Sequence, residues 1–501
     1  MSETAISQLE AEKPTIKILL YTDNTQISPT NGPGEFFGLG SMIERLHAHA
    51  PTFANIDVKW VSRNSDRTHP ADNKLDLVLN REVEQTGEPF DEIWFFGMHQ
   101  SNTSNFSPVI RRGGPESELN ADEVTALTQW MKVREDGCGG GGVLMTGDHS
   151  SKTPNELLPG TNSLCGDTSA GATFLGLGRA LGRCVPRAGS LRIWEGPPSN
   201  LPIDSLSTIF NNGLQTDLNP QQLHLQNVNA DGDPDPNGQP HPLFFYKQGQ
   251  FIQVFPDHTH EGAVITPPAT APLDPKVWPS GSKGQIRPHV VAFGRDPRRP
   301  EPLNIIATYN GDLTGVGRIV ADSTWHHYMN LNLRGFPHPA PEGSDSDQIG
   351  QFYANLAVWL APQCKRKQMA DSMLWDLARF TLLIEEGADE ERTGIAASSA
   401  LAKVSSSCEI HEIAHAYTPQ EIADFYAEQA GVSDLPSRER LLGSVLKMYH
   451  DVMVQSETVG IASDSVSTVD VIKAGFAKAF YHQASDLRKT LDVLSSAVKP
   501  Q

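Results

Sequence analysis

The chain has 501 residues and a formal net charge of −20, which comes from 40 Lys and Arg residues against 60 Asp and Glu residues. This length exceeds the roughly 250–300 residues that one hydrophobic core supports, so at least two domains are expected. Hydrophobic residues make up 38% of the chain and charged residues 20%, a balance typical of soluble globular proteins. The acidic charge repels phosphate backbones and anionic lipids, which argues against nucleic acids and membranes as partners and leaves small molecules and cations.

The first residues, MSETAISQLEAEKPTIK, are polar and acidic where a signal peptide would be basic and then apolar. No segment approaches the roughly 18 apolar residues of a membrane helix, so we expect a cytoplasmic protein. The cysteines are few and lack the CxxC spacing of a zinc site, and we expect all of them to be reduced thiols. They are Cys138, Cys165, Cys184, Cys364 and Cys408.

Apolar strand-like runs alternate with helical patterns in the first part of the chain, which predicts an α/β fold with a parallel sheet covered on both faces. Helices are predicted from about Glu35 and after Asn120 or Asp122, and a last one covers QIGQFYANLAVWLAP and ends at Pro362. The predicted strands cover residues 15–22, 55–62, 91–97, 142–147, 243–255, 289–294, 303–309 and 317–322.

The composition divides the chain into three parts. Residues 1–14 are expected to be a flexible N-terminus, and residues 15–362 form the α/β domain, with a loop-rich insertion at about 151–242. A short helix is predicted near 172–183 within that insertion. After Gln363 the chain is rich in Ala, Glu, Leu, Lys and Ser with helical periodicity, so residues 363–501 are predicted to form a bundle of four to six helices.

Asp and His residues crowd the positions that directly follow the predicted strands. In open parallel sheets ligands bind beyond the carboxyl ends of the strands, so these residues are the leading candidates for a functional site. Histidine together with carboxylates suits either proton transfer or a divalent metal such as zinc or iron. The candidates are Asp23, Asn24, His99, Asp148, His149, Asp322, His326 and His327, with a further cluster of Asp257, His258, His260 and Glu261 after the strand at 243–255.

The segment GGGGVLMTGDHS, a glycine run followed by a strand and a sharp turn, resembles the class I glutamine amidotransferase-like superfamily, especially its trehalose-utilisation-like branch. This resemblance implies a flavodoxin-like sheet over about residues 15–361. In the amidotransferases the turn holds a nucleophilic cysteine, but here Asp148 and His149 take its place, so glutamine hydrolysis is not expected. The trehalose-utilisation-like proteins are similar in having a histidine at this turn and another after a late strand, which His326 or His327 matches.

Three shorter motifs offer alternatives. Ser169 in TSAGA resembles the nucleophile of cyanophycinase-like peptidases, but no buried strand precedes it, which favours a helix cap. The motif HEIAH places His411 and His415 one helical turn apart with Glu412 between them, the pattern of a zinc peptidase. It lacks a clear third ligand, which favours a helix surface or a polar seam in the bundle. The alternating oxygen donors of a calcium loop occur in DGDPDPNG, where two prolines favour a rigid surface turn instead. Those donors are Asp231, Asp233, Asp235 and Asn237.

Two classes of function follow from these observations, with a zinc peptidase as a further alternative. In the first, the α/β domain is a hydrolase or lyase for a small polar or sugar-like substrate. Asp148 and His149 then do acid and base work or bind a metal, and His326 or His327 supplies a partner imidazole. In the second, the domain is a non-catalytic scaffold or ligand sensor. The helical domain would serve self-association or a protein partner in either class.

Overall fold

The chain divides into two units. The first comprises Thr15–Tyr246 and Phe251–Arg366, and the second comprises Met1–Pro14, Lys247–Gln250 and Lys367–Gln501. The computed structural model describes residues 13–22, 27–32, 35, 37–51, 53–63, 73–96, 119, 121–146, 183–186, 220–229, 232–246, 250–256, 262–266, 270, 272–273, 278–281, 284–294, 302–323, 325–369, 372, 392–394, 443–444 and 447.

The first unit contains all the named elements of the described chain. Its helices are α1 Gly40–Ala48, α2 Leu75–Thr86, α3 Ala121–Trp130, α4 Asn330–Leu333 and α5 Asp345–Leu360. Its strands are β1 Thr15–Thr22, β2 Asn55–Ser62, β3 Glu92–Phe96, β4 Gly142–Thr146, β5 Arg183–Pro186, β6 Gln221–Gln222, β7 His224–Leu225, β8 Asn227–Val228, β9 Gln239–Pro240, β10 Val254–Phe255, β11 Gly262–Ile265, β12 Ser280–Gly281, β13 Gly284–Gln285, β14 His289–Gly294, β15 Leu303–Tyr309 and β16 Ile319–Asp322. Short 3-10 turns cover Pro242–Phe244, Gly311–Thr314 and Trp325–Tyr328.

Eight of these strands form one mixed sheet in the order β2-β1-β3-β4-β16-β15-β14-β7. The first five strands in this order run parallel, and the last three continue the sheet with antiparallel pairing. All five parallel strands therefore end at the same edge. The α/β class predicted from the sequence is confirmed at this coarse level, as a large mixed sheet with helices.

Side chains alternate across the sheet and supply two apolar layers. Alternate residues of β1, β3, β4 and β16 form one core cluster with the inner faces of α2 and α3. On the opposite face, α1 packs against α5, and α5 reaches the central strand β4. The helix α5 begins where the Ser344 hydroxyl accepts a hydrogen bond from the Asp347 N–H, and it ends just before Pro362, as predicted.

Four predicted strands occur with the predicted bounds, at residues 15–22, 55–62, 289–294 and 303–309. Two others begin later than predicted, because Asp91 and the pair 317–318 lie outside the strand pairing, and the strand predicted over 142–147 is observed as Gly142–Thr146. Residues 97 and 147, where two of these predictions end, lie outside the described residues. The helix α3 also matches its prediction, with Val124 and Leu127 buried.

The strand predicted over residues 243–255 is wrong. A 3-10 turn at Pro242–Phe244 replaces its start, and the chain then folds back so that Phe245 pairs antiparallel with Phe251. The apolar residues are buried in this reversal, where Phe244 stacks on Phe352 of α5 with ring centroids 5.7 Å apart. A continuous apolar run satisfies either arrangement, so periodicity alone does not separate them.

The first helix begins at Gly40 and not near Glu35. The side chain of Asn330, far along the chain, donates to the carbonyl oxygens of Thr30 and Glu35 at 2.8 Å each, which holds this segment in a turn. The same side chain accepts a hydrogen bond from the N–H of Ser41 at 2.8 Å and so caps α1.

The expectation of five reduced thiols is wrong for one pair. Cys138 and Cys364 form a disulfide bond, with their Cα atoms 4.6 Å apart, a separation suited to such a bond. The sequence gives no spacing signal for it because 226 residues separate the two cysteines.

In the second unit, the described residues 367–369, 372, 392–394, 443–444 and 447 are helical. Most of the bundle predicted over 363–501 lies outside the described residues, as do Ser169 and residues 172–182 of the helix predicted near 172–183, whose last residue instead begins β5. No helix in the described part of the chain combines the length and the apolar character needed to cross a membrane.

Candidate functional site

The strand β16 carries Asp322 to the carboxyl edge of the parallel strands. It pairs in parallel with β4, and Asp322 lies in register with Thr146, the last residue of β4. Every residue of β16 is buried, because the strand lies in the interior of the sheet. Asp322 points to the sheet face that α1 and α5 cover, since the neighbouring Ala321 belongs to the core cluster of the opposite face.

A short 3-10 turn after β16 folds two side chains back onto Asp322. The ring nitrogen Nδ1 of His327 lies 2.8 Å from Oδ1 of Asp322, and the hydroxyl of Tyr328 donates to Oδ2 over 2.9 Å. An ionised carboxylate only accepts hydrogen bonds, so Nδ1 of His327 carries the hydrogen in this contact. Both carboxylate oxygens of Asp322 are thus engaged by the turn that follows its own strand.

Two further side chains fix the backbone of this turn. The amide of Asn332 donates to the carbonyl oxygen of His326, and the hydroxyl of Tyr353 in α5 donates to the carbonyl oxygen of His327, each over 2.8 Å. Asn332 belongs to α4, so two helices hold the turn in addition to the strand. The strand and the two helices together therefore fix the position of the imidazole of His327.

Aromatic rings surround the pair. The ring of Phe255 lies 5.0 Å from the ring of His327, and the ring of Phe96 at the end of β3 lies 5.3 Å from that of Tyr328. Asp322 and His327 are each 1% exposed, so little water reaches them. Burial, together with the neighbouring charge of Asp322, raises the pKa of Tyr328 well above its ordinary value, and Tyr328 therefore stays a hydrogen-bond donor.

This arrangement is suited to proton transfer. A carboxylate bound to Nδ1 fixes the tautomer of an imidazole and stabilises its protonated form, so that Nε2 is the atom at which a proton is exchanged. The same carboxylate and histidine contact also occurs behind histidines that bind metals. The low-polarity surroundings strengthen the interaction between the two groups in either case.

Of the residues predicted for the site, the structure describes Asp322, His326 and His327, and it places all three on one strand end and its turn. His326 lies in the same turn, with its ring 4.5 Å from that of Trp325. The remaining predicted residues lie outside the described residues. They are Asp23, Asn24, His99, Asp148, His149, Asp257, His258, His260, Glu261, His411, Glu412 and His415.

No group of three or more His, Cys, Asp or Glu residues that could hold a metal ion occurs among the described residues. The zinc or iron sets predicted from the sequence therefore remain predictions. In the segment DGDPDPNG, which has the alternating donors of a calcium loop, Asp233 contacts the ring of His289 at 3.0 Å and the carboxylate of Asp235 accepts a hydrogen bond from the N–H of Asn237 at 2.9 Å. Both contacts favour the rigid surface turn over a calcium loop.

Sequence reasoning missed Tyr328, Tyr353 and Asn332. Tyr328 directly follows the two predicted histidines, and its spacing of six from Asp322 was the available signal. Asn332 lies in the stretch MNLNL, where asparagines alternate with apolar residues. A buried asparagine is unusual unless its amide has a hydrogen-bond partner. No local signal marks Tyr353, whose role depends on how α5 packs against the turn.

The glycine run before β4 lies at the opposite, amino-terminal edge of the sheet. A Cβ atom at Gly140 would lie 1.8 Å from the carbonyl oxygen of Met131, and one at Gly142 would lie 2.0 Å from that of Leu360. These glycines allow the backbone after α3 and the end of α5 to pack against the start of β4. They serve packing at one edge, while the candidate site lies at the other.

Comparison of the chain with protein-family models, with curated proteins and with solved structures finds no match. Function is therefore inferred from the residues at the carboxyl edge of the sheet and from their geometry.

Proposed function

We propose that the chain is an enzyme, a hydrolase or lyase for a small polar or sugar-like substrate, in which His327 transfers protons and Asp322 orients it. The observation that carries this proposal is the 2.8 Å contact between Nδ1 of His327 and Oδ1 of Asp322 at the carboxyl end of a parallel strand. That edge is where open α/β sheets bind their ligands.

The strand order supports the proposal that this site lies in an amidotransferase-like domain with a flavodoxin-like sheet. The parallel strands, taken in chain order, follow the arrangement 2-1-3-4-5, which is the flavodoxin-like order. The resemblance of the segment around β4 to the class I amidotransferase-like superfamily points the same way. In that family the turn after this strand carries the nucleophile, and in this chain Asp148 and His149 stand at the matching positions of the sequence.

The register of the sheet links the two halves of the proposed site. Asp322 is paired with Thr146, and Asp148 and His149 come after Thr146 and Gly147 in the sequence. His99 similarly follows β3, the neighbour of β4 on its other side. In the proposed reaction, Nε2 of His327 takes a proton from the substrate or a water molecule and later returns it to the leaving group. Asp322 stabilises the imidazolium formed between these two steps.

We also propose a cytoplasmic location and a separate role for the helical bundle predicted over residues 363–501. Their Ala-, Glu- and Leu-rich composition is typical of a bundle that mediates self-association or binds a protein partner.

Turnover of chromogenic probes by the full-length chain tests this function. The probes are p-nitrophenyl esters, p-nitrophenyl glycosides and p-nitroanilides of small acids, and the variants are His327→Gln and Asp322→Asn. We expect at least one probe class to be turned over by the native chain and its rate to fall by roughly 10²–10⁴-fold in each variant. The thermal unfolding midpoint of each variant separates loss of chemistry from loss of fold.

The pair formed by His49 and Asp347 provides a matched control. Nε2 of His49 lies 2.9 Å from Oδ1 of Asp347, a contact that joins the end of α1 to the first turn of α5. His49→Gln should leave the turnover rate unchanged. Turnover that survives in His327→Gln, or the absence of turnover for all three probe classes in the native chain, would favour the scaffold or ligand-sensor interpretation instead.

A further inference from the structure

The disulfide between Cys138 and Cys364 joins two distant parts of the α/β unit at the amino-terminal edge of the sheet. Cys138 lies in the turn between α3 and β4, and Cys364 follows the end of α5. The N–H of Cys364 also donates to the carbonyl oxygen of Cys138 over 3.1 Å. The two residues are therefore in contact through their backbones as well as through sulfur.

Other contacts hold both segments in place independently of the sulfur atoms. Gly139 has a φ of +90°, and a Cβ atom there would lie 2.9 Å from the backbone nitrogen of Gln363, so the two chains meet closely beside the cysteines. On the side of Cys364, Arg366 donates to the carbonyl oxygen of Ala361 and to the carboxylate of Asp312. These contacts keep the two thiols adjacent when the bond is reduced, which favours its re-formation.

The surroundings of the pair suit thiol chemistry. Cys364 is partly exposed, so a small thiol or disulfide can reach it, while Cys138 is nearly buried. A guanidinium nitrogen of Arg134 lies 3.8 Å from the sulfur of Cys138, and Lys365 is the next residue after Cys364. The carboxylate of Asp136 accepts a hydrogen bond from the N–H of Cys138 over 2.8 Å. Cations beside a sulfur favour the thiolate, the form that attacks a disulfide.

We propose that Cys138 and Cys364 form a reversible thiol–disulfide site that exchanges with glutathione-type disulfides, and that its oxidation stabilises the α/β unit. One cysteine thiolate attacks glutathione disulfide, which forms a mixed disulfide and releases one glutathione thiol. The second cysteine then attacks the protein sulfur of the mixed disulfide, which closes the bond and releases the other glutathione thiol. Two protein thiols are oxidised in this exchange, and glutathione disulfide accepts both electrons.

Peptide mapping of the full-length chain tests whether the exchange is reversible. The chain is equilibrated in buffers with different ratios of glutathione to glutathione disulfide, free thiols are trapped by alkylation, and the linked peptides are measured by mass spectrometry. We expect the peptide pair that contains Cys138 and Cys364 to rise from absent to dominant as the buffer becomes more oxidising, and to fall again on return. A linked peptide that is absent at every ratio, or equally abundant at every ratio, would overturn the proposal.

Thermal unfolding tests the stabilisation. The oxidised chain should unfold about 5 °C above the reduced chain, because the bond restricts the unfolded chain over a long loop. Cys138→Ser and Cys364→Ser should each unfold like the reduced native chain in both buffers. Cys184→Ser, in β5, keeps the pair intact and should retain the shift. Equal midpoints for the oxidised and reduced native chain, or a shift that persists in Cys364→Ser, would refute the proposed stabilisation.

Discussion

The imidazole of His327 is fixed by a residue only five positions earlier, because the 3-10 turn after β16 returns the ring to Asp322 at the end of the same strand. The carboxylate and the imidazole therefore move with one another and with the sheet. A proton-transfer group needs this kind of support, since small errors in position lower the rate of transfer strongly.

Removal of the Tyr328 hydroxyl should weaken the support of Asp322. In Tyr328→Phe the carboxylate loses the donor that lies 2.9 Å from Oδ2, and hydrogen bonds to charged groups contribute about 1.5–3 kcal/mol. Tyr353→Phe is the matched control, because its hydroxyl donates to the uncharged carbonyl oxygen of His327 and should cost about 1 kcal/mol. Urea unfolding measures both changes, and an equal loss in the two variants would contradict a charge-assisted bond at Tyr328.

Much of the sheet could be predicted because its strands are apolar runs bounded by turn residues. The strands β1, β2, β14 and β15 were predicted with their observed bounds for this reason. The helix α2 was missed, although its buried residues Leu75, Val78 and Leu79 follow helical spacing and Gly87, with a φ of +76°, ends it in the left-handed conformation.

Helix starts were harder to predict because distant residues provide their caps. Asn330 caps α1 through the N–H of Ser41, and Glu123 of α3 accepts the N–H of Leu75 at the start of α2 over 3.0 Å. The capping residue in each case lies on another element, where no local pattern reveals it. The disulfide was missed for the same reason, since it depends on how two segments that are far apart in the sequence come together.

The candidate site was predictable in part. Positions after strands pointed to Asp322, His326 and His327, because parallel strands share one carboxyl edge. Which of the two histidines contacts Asp322 could not be predicted, since it depends on the handedness and length of the turn after β16. The supporting hydroxyl of Tyr353 depends on helix packing, which sequence periodicity does not specify.

His241 should make the protein sensitive to acid. Burial, with the nearby charge of Arg318, lowers the pKa of His241 from 6.5 to about 3, while Nδ1 accepts the N–H of Leu243. The folded state therefore resists protonation while the unfolded state accepts it below pH 6.5. Stability from this group is present above that pH and is lost as the pH falls towards 3, by about 1.4 kcal/mol per pH unit.

His241→Asn keeps an acceptor at the cap and removes the titration, so its free energy of unfolding should fall less steeply with decreasing pH than that of the native chain. Urea unfolding between pH 4.5 and 7.5 measures the two slopes. His47→Asn, at an exposed position near the end of α1, is the control and should keep the native slope. Equal slopes for His241→Asn and the native chain would contradict a neutral buried histidine.

Glu92 should have the opposite effect on the pH dependence of stability, so that its contribution decreases as the pH rises. It is fully buried at the start of β3, Trp94 donates to Oε2 over 2.8 Å, and Oε1 has no hydrogen-bond partner among the described residues. Burial raises the pKa of Glu92 well above 4.5, so the folded state keeps the proton that the unfolded state releases. The contribution of this group to stability is complete below pH 4.5 and is lost as the pH rises towards the folded pKa.

Glu92→Gln removes this titration at nearly constant shape. The variant should therefore gain stability relative to the native chain as the pH rises from 4.5, by about 1.4 kcal/mol per pH unit until the folded pKa is reached. Urea unfolding at pH 5, 6 and 7 measures the difference. A difference that stays constant over this range would show that Glu92 ionises in the folded state as it does in the unfolded one.

The stability cost of adding a side chain to the glycine run before β4 should depend on which glycine is replaced. In Gly140→Ala the new Cβ would meet two backbone atoms, the oxygen of Met131 at 1.8 Å and the nitrogen of Gly317 at 2.5 Å, and neither can rotate away. We expect a loss of about 3 kcal/mol or more from this overpacking.

Gly137→Ala is the matched control, because Gly137 has a φ of +76° and nothing within 4 Å of a Cβ atom, so only its backbone strain of about 1 kcal/mol applies. Both substitutions lower the entropy of the unfolded chain alike, so the difference between their urea unfolding free energies measures the close approach itself. If Gly140→Ala cost no more than Gly137→Ala, the close backbone approach at Gly140 would not contribute to stability, and the run would not be needed for packing.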